Sequence, residues 1–363
     1  MRKLLVVPLI AGLALTVAGP AHADTVPPLN RDALRQVLTS LPNEEVSGAL
    51  VRVSGTAGSW RGSGGVSRIG TREPVRPDGR FRVGSITKLF TAAAALKLDG
   101  EGVLDLDQTV QHYLPGLLTP DFEPVTVRQL LDHTHGIAGH TLPHKDPEWF
   151  FAHRYDTWDP EELVRLGVAQ GPQFPPGTRQ QYGNMGYLVA GLVIEEVTGR
   201  PYGDAVRSRV IGPLGLRDTY LPGTDPRIRG PHAHGYEQTA SGYVDVTEAD
   251  PSLGWAAAEV VSTAADLDRL LAALLRGDFL TADQRAELLT VPLPGAQHAL
   301  GITRIPLSAD LVVWGKSGDR PGYNNGVAGT LDGSRTLVYS VNTLHMGGDQ
   351  PATSVALIRA AFS

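Results

Sequence analysis

Ser85 and Lys88 lie three residues apart within Phe81-Arg82-Val83-Gly84-Ser85-Ile86-Thr87-Lys88. The Ala- and Leu-rich run 89–96 that follows has strong helix propensity. Ser85 is therefore read as an N-cap type at the start of that helix, with Lys88 on the same face of its first turn. A hydroxyl at a helix N-terminus feels the positive end of the dipole, which favours its alkoxide. A lysine in contact with it can take its proton once burial lowers the lysine's own pKa. The pair reads either as a nucleophile with its base or as a capping serine beside a surface lysine.

Lysine usage bears on that choice. The chain holds 27 Arg and only five Lys: Lys3, Lys88, Lys97, Lys145 and Lys316. Arginine cannot give up its proton in a protein, whereas lysine can be tuned to act as a base. Two of these lysines fall in short motifs. Beside Ser85-x-x-Lys88 stand Tyr182-Gly183-Asn184, just before an apolar helical run, and Lys316-Ser317-Gly318, following the apolar strand 311–314. Three such motifs in this order are a far more specific signal than any one of them.

The elements that must position these residues follow from the pattern along the chain. A first helix is expected over 31–40, with strands over 46–53 and 59–69 and a short extended segment at 81–83. From about 99 to 253 the pattern is helices joined by Pro- and Gly-rich loops, with Asp159-Pro160 as a helix start and Gly199 closing the 184–198 helix. Strands return at 301–305, 311–314, 326–330 and 336–342, with Asp332-Gly333 as a turn, and a last helix covers 352–361. Strands at both ends with helices between predict a sheet built by the two termini and a helical insertion beside it, with the site in the cleft between them.

Composition sets outer limits. With 363 residues the chain can bury a large core, and with no cysteine it has no disulfides, no thiolate chemistry and no Cys-ligated metal. Arg2 and Lys3, the apolar run 4–17 and Ala21-His22-Ala23 form an export signal pattern, so residues 1–23 are expected to be removed and the catalytic domain to span 24–363. That predicts a secreted, extracellular protein with no membrane anchor. Without Arg2 and Lys3 the chain keeps 30 basic against 38 acidic residues, an acidic balance that argues against nucleic acid as a partner.

The three motifs together resemble the penicillin-recognising serine hydrolases, in particular the class C β-lactamase and D-alanyl-D-alanine carboxypeptidase group, with the secreted carboxypeptidases closest. The resemblance runs from about Arg31 to the C-terminus and includes 80–88, 102–107, 127–134, 176–199 and 314–322. It implies an α+β, β-lactamase/transpeptidase-like fold: an antiparallel sheet flanked by helices, plus an all-α region. It also implies that Ser85 forms an acyl-enzyme, with Lys88 as base or proton shuttle. Tyr182 would relay the proton to the leaving group and later activate water. Asn184 would bind the substrate amide, Lys316 and Ser317 an anionic group, and Gly318 would leave room for substrate along the strand edge. The oxyanion hole would be the N–H groups of Ser85 and Asp319, with Trp255 lining the pocket and Arg304 in the place of a carboxylate-binding arginine.

The implied activity is D-alanyl-D-alanine carboxypeptidase action on peptidoglycan stem peptides, with acylation by β-lactams and no cofactor. A class C-like β-lactamase, an esterase and a D-amino-acid amidase or aminopeptidase are the alternatives on this fold, and a non-catalytic peptidoglycan-binding relative is the alternative of another kind. The last should tolerate loss of Ser85, Lys88 or Tyr182, and all three are present. Asp319 is the main departure, because a carboxylate there would oppose a substrate's terminal carboxylate unless Arg304 or Arg320 neutralised it. His133-x-His135 and His140-x-x-x-His144 have some ligand logic, but the first overlays a loop of the resembled family, and no metal is expected.

Overall fold

The computed structural model describes residues 26–277, 279–346 and 350–362; the expected leader 1–23 lies outside the described residues. A six-stranded antiparallel sheet runs in the order Trp60–Gly65, Val46–Ser54, Thr336–Thr343, Tyr323–Gly329, Val312–Arg320, Thr303–Pro306. Both ends of the chain contribute to it, as the pattern predicts. Alternation along each strand gives the sheet two apolar faces. Val313, Leu337, Tyr339 and Val341 pack against the terminal helices Arg31–Thr39 and Ala352–Phe362 through Leu34, Leu38, Leu357 and Phe362. Trp314, Val327 and Val338 face the larger core, which holds the helices Thr87–Gly100, Met185–Thr198 and Ala264–Arg276.

The Thr87–Gly100 helix is apolar on every side, and its first ten residues are all buried. A helix of that kind belongs at the centre of a core, not on a surface. It lies between the sheet and the helical region, so its N-terminus is held at the junction of the two. The helical region departs from the expected pattern at one place: Tyr236–Thr239 and Gly242–Asp245 form a small hairpin inside it.

Two corrections bear on the site. The Lys316-Ser317-Gly318 motif does not follow its strand but lies within it, because pairing with Tyr323–Gly329 carries the strand on to Arg320. Gly315 and the polar residues after it look like a strand end by local pattern, and the partner strand overrides them. Ser85 is likewise not an N-cap. It sits in a 3-10 turn over Gly84–Ile86, and the helix that follows takes Ile86 at its cap with no side-chain cap bond.

Candidate active site

The turn that presents Ser85 is fixed from both sides. Upstream, Arg80–Arg82 pairs with Val261–Thr263, and the Val83 N–H donates to the Val260 carbonyl at 3.0 Å. Gly84 has φ +57°, and a Cβ there would lie 2.6 Å from the Asp319 nitrogen. A Cβ at Gly318 would meet the Val83 carbonyl at 2.0 Å and the Ser85 nitrogen at 2.8 Å. Only glycine fits either position. The close approach sets the Ser85 and Asp319 amides side by side, the arrangement an oxyanion hole requires. Asn325, fully buried, clamps the same junction from below: its amide donates to the Arg82 carbonyl at 2.9 Å and the Gly318 carbonyl at 3.0 Å.

Lys88 is completely buried. Its Nζ lies 3.1 Å from Ser85 Oγ, 2.7 Å from Asn184 Oδ1 and 3.2 Å from the Ala257 carbonyl. Two carbonyl-type acceptors claim two of its protons, so in the neutral amine the lone pair is left for the Ser85 hydroxyl. Burial, with Lys316 adding to it, brings the ammonium down to about 8 despite the opposing pull of Tyr182. A lysine poised there is a competent base near neutral pH. The bland reading of Lys88 as a surface lysine is excluded. Asn184 precedes the Met185–Thr198 helix but makes no capping bond, its carbonyl oxygen being taken by Lys88.

Tyr182 comes to the same point from the helical side. Burial by itself would raise its phenol, but Lys88 and Lys316 outweigh burial and bring it down to about 8, with its hydroxyl facing Ser85 and Lys316. The ring lies 5.2 Å from Lys88 Nζ and 4.6 Å from Lys316 Nζ. Lys88 and Tyr182 thus form a coupled pair whose apparent pKa values belong to both. The base form of the pair grows as pH rises, so kcat/KM toward a neutral ester should climb with pH up to about 8. Tyr182→Phe should remove the phenol's part in that profile and lower kcat by about 10²–10⁴, which a pH series of steady-state rates would measure.

The strand 312–320 distributes its side chains by alternation. Lys316, Gly318 and Arg320 share the face of Trp314, toward the helical region, while Ser317 and Asp319 alternate to the other side and are exposed at the free edge. Lys316 is buried and its Nζ donates to the Ser317 carbonyl at 3.2 Å, with no carboxylate among the described residues bound to it. The Asp319 carboxylate accepts a hydrogen bond from Asn324 on the neighbouring strand, and the cleft walls around it hold its carboxyl above the usual value. Arg304 is paired with Trp314, so it lies on the Lys316 face, exposed on the edge strand.

Trp255 corrects the expectation that it lines the pocket. Its ring packs over Gly191 and against Tyr202, 5.2 Å between centroids, inside the helical core. The cleft around Ser85 is walled instead by His140, His144, Lys145, Trp149 and Trp158 on the helical side. Among the described residues no three His, Asp or Glu side chains converge as a metal site.

Two residues behind Tyr182, His298 and Gln180, escaped the sequence reading, and His133 entered it only as part of a His-x-His pair. His133 and His298 flank its ring at 4.7 and 5.0 Å. Burial pushes His133 well below the usual range, and burial with Lys316 and Lys88 brings His298 to about 4, so both are neutral packing surfaces. Gln180 ties their loops together, donating to the Asp132 and His298 carbonyls at 2.7 Å each and accepting from the His298 N–H at 3.1 Å. Nothing local marks Gln180 or His298. The polar pair Asn324-Asn325 inside an apolar strand was the one sequence signal for the clamp beneath Gly318.

A serine, a buried amine and a tyrosine on one side, with a lysine on the facing strand of an antiparallel sheet, place the chain among the penicillin-binding and β-lactamase-fold serine hydrolases. The comparisons agree. The family model described as Beta-lactamase matches residues 33–361, and the chain belongs to that family. A solved D-stereospecific amidohydrolase from Streptomyces sp. is 35% identical with a TM-score of 0.81, over 91% of this chain and 98% of that one. Penicillin-binding protein 4* of Bacillus subtilis (strain 168) is 24% identical over 330 residues, 82% of this chain and 68% of that protein. Esterase EstB of Burkholderia gladioli is 32% identical over 176 residues, 46% of this chain and 45% of that one.

Proposed function

We propose that this chain is a D-specific serine carboxypeptidase that transfers the acyl part of a peptide ending in D-alanyl-D-alanine to Ser85, releases the terminal D-alanine, and hydrolyses the ester. The observation that carries this reading is the buried cation of Lys316 beside the Tyr182 ring, with Arg304 exposed farther along the same strand face. Tyr182 delivers the proton to the leaving group, so a leaving amino acid there meets the Lys316 cation, which suits its carboxylate. Asp319, the expected obstacle, still lines the cleft, but its carboxylate accepts a hydrogen bond from Asn324 and lies within the field of Lys316. In the same reading β-lactams acylate Ser85, and the export pattern at 1–23 delivers the enzyme outside the cell.

In this reading the distances support the following mechanism. Lys88 takes the Ser85 proton as Oγ attacks the carbonyl carbon, and the Ser85 and Asp319 amides receive the developing oxyanion. Collapse breaks the C–N bond while Tyr182 protonates the departing amine. Tyr182, left as phenolate, then removes a proton from water attacking the ester, and as the C–O bond to Ser85 breaks Lys88 returns its proton to Ser85 Oγ.

A D-amino-acid amidase is the second reading, favoured by the 35% identity to the Streptomyces amidohydrolase. Comparing kcat/KM for N-acetyl-D-alanyl-D-alanine with its C-terminal amide and its L,D-diastereomer separates the two. The carboxypeptidase reading expects the free acid to be preferred at least about tenfold. Equal or better turnover of the amide would replace it with the amidase.

A further inference from the structure

Arg320 occupies the far end of the strand face that carries Lys316. At about 3.3 Å per residue the two lie roughly 13 Å apart along the strand. Gly318, against which Ser85 packs, is midway between them. Lys316 is on the Tyr182 side, where the leaving group departs, so Arg320 is on the side of the acyl group.

Its surroundings do not account for it. Arg320 lines the same cleft as Ser85, and its Nε is buried without a hydrogen-bond partner. No protein acceptor lies within hydrogen-bonding reach of its guanidinium among the described residues. Buried Arg82, by contrast, donates to the Thr247 and Pro226 carbonyls. The carboxylate acting on Arg320 is Asp250, but its oxygens already accept from Thr157 Oγ at 2.7 Å and the Ser252 N–H at 2.8 Å. Arg82 adds a like charge behind it, and burial together with Arg82 lowers the guanidinium to about 10. Lys145 stands on the facing wall, and the His140–His144 pair, whose rings are 4.9 Å apart, is held neutral chiefly by burial. A half-buried guanidinium with no partner is costly, and a carboxylate entering the cleft would engage its accessible nitrogens with two parallel hydrogen bonds.

We infer that Arg320, with Lys145 opposite, is an anchor for a carboxylate on the acyl part of the substrate, so that the enzyme selects acyl donors carrying a negative charge on the side away from the scissile bond. The inference rests on the acyl-enzyme at Ser85 but not on the identity of the leaving group. The test therefore uses two p-nitrophenyl esters with the same neutral leaving group, N-succinyl-D-alanine and N-acetyl-D-alanine p-nitrophenyl esters. The wild-type enzyme should prefer the succinyl ester at least tenfold in kcat/KM at low salt, with the preference shrinking as ionic strength rises. In Arg320→Gln the ratio should fall to about one, and Arg320→Lys should retain part of it. A wild-type ratio near one, or a ratio unchanged in Arg320→Gln, overturns the anchor while leaving the serine hydrolase intact. Absence of turnover of either ester overturns both. Should Arg320→Gln fail to fold, the wild-type ratio, its salt dependence and Arg320→Lys still decide.

Discussion

Ser85→Ala should form no covalent adduct with a penicillin, a D-alanyl peptide or a p-nitrophenyl ester, and its kcat/KM should fall by at least about 10⁴. Losing the nucleophile of an acyl-transfer enzyme costs on that order or more, with a residue of rate enhancement left to binding and the oxyanion site. The structure makes this substitution clean. Ser85 caps no helix, and its hydroxyl is engaged with Lys88 and faced by Tyr182. Removing Oγ therefore leaves the Gly84–Ile86 turn, the Asn325 clamp and the Thr87–Gly100 helix as they are, and the melting temperature should move little. Intact mass after incubation with benzylpenicillin reads the result directly: an adduct on wild type and none on Ser85→Ala. An adduct on Ser85→Ala of the same stoichiometry would place the nucleophile elsewhere.

Lys88→Met should lower the acylation rate by about 10²–10⁴, read from the pre-steady-state burst with a p-nitrophenyl ester. Methionine keeps the length and apolar stem of lysine and removes the amine, so the packing around this fully buried position is largely conserved. What is lost is the group that takes the Ser85 proton. The loss reaches further than one proton transfer. Lys88 also depresses the Tyr182 phenol and holds Asn184 by its carbonyl oxygen. With Lys88 gone, Tyr182 keeps Lys316 and its hydrogen bond with Ser85 to offset desolvation but should titrate higher, moving the surviving pH profile toward alkaline pH. A variant that kept the wild-type burst and pH profile would assign the base to another residue.

The residues that converge at the candidate site were legible in the chain because their motifs depend on residue types at short spacing. One helical turn sets Ser85 and Lys88 together whatever surrounds them, and the scarcity of lysine drew attention to Lys88 and Lys316. The order of strands and helices followed from apolar periodicity and from Gly and Pro at the turns, enough to place the sheet at the two ends and the helices between. Local pattern was less reliable where a partner strand decided the outcome. The strand through Lys316 was read as ending at Trp314, and pairing with Tyr323–Gly329 extends it to Arg320. That extension sends Lys316 and Arg320 to one face and Asp319 to the other, where its carboxylate accepts a hydrogen bond from Asn324. Trp255, an aromatic next to an apolar run, carries no local mark separating a pocket wall from a core residue, and packing against Gly191 and Tyr202 makes it core.

The sequence alone thus pointed to Ser85, Lys88 and Tyr182 as the candidate nucleophile, base and tyrosine and to the family of the chain, since covalent catalysis admits few residue types and fixes their local spacing. Tertiary structure decided the protonation and reach of those groups. Lys88 is tuned by complete burial and by Lys316, and Tyr182 by two lysines far from it in the chain. The neutral His133 and His298 that flank Tyr182, the Gln180 that joins their loops, and the facing of Lys316, Arg304 and Arg320 along one strand face are matters of packing and register. These depend on contacts between segments remote in sequence, and a linear pattern holds no distance between such segments.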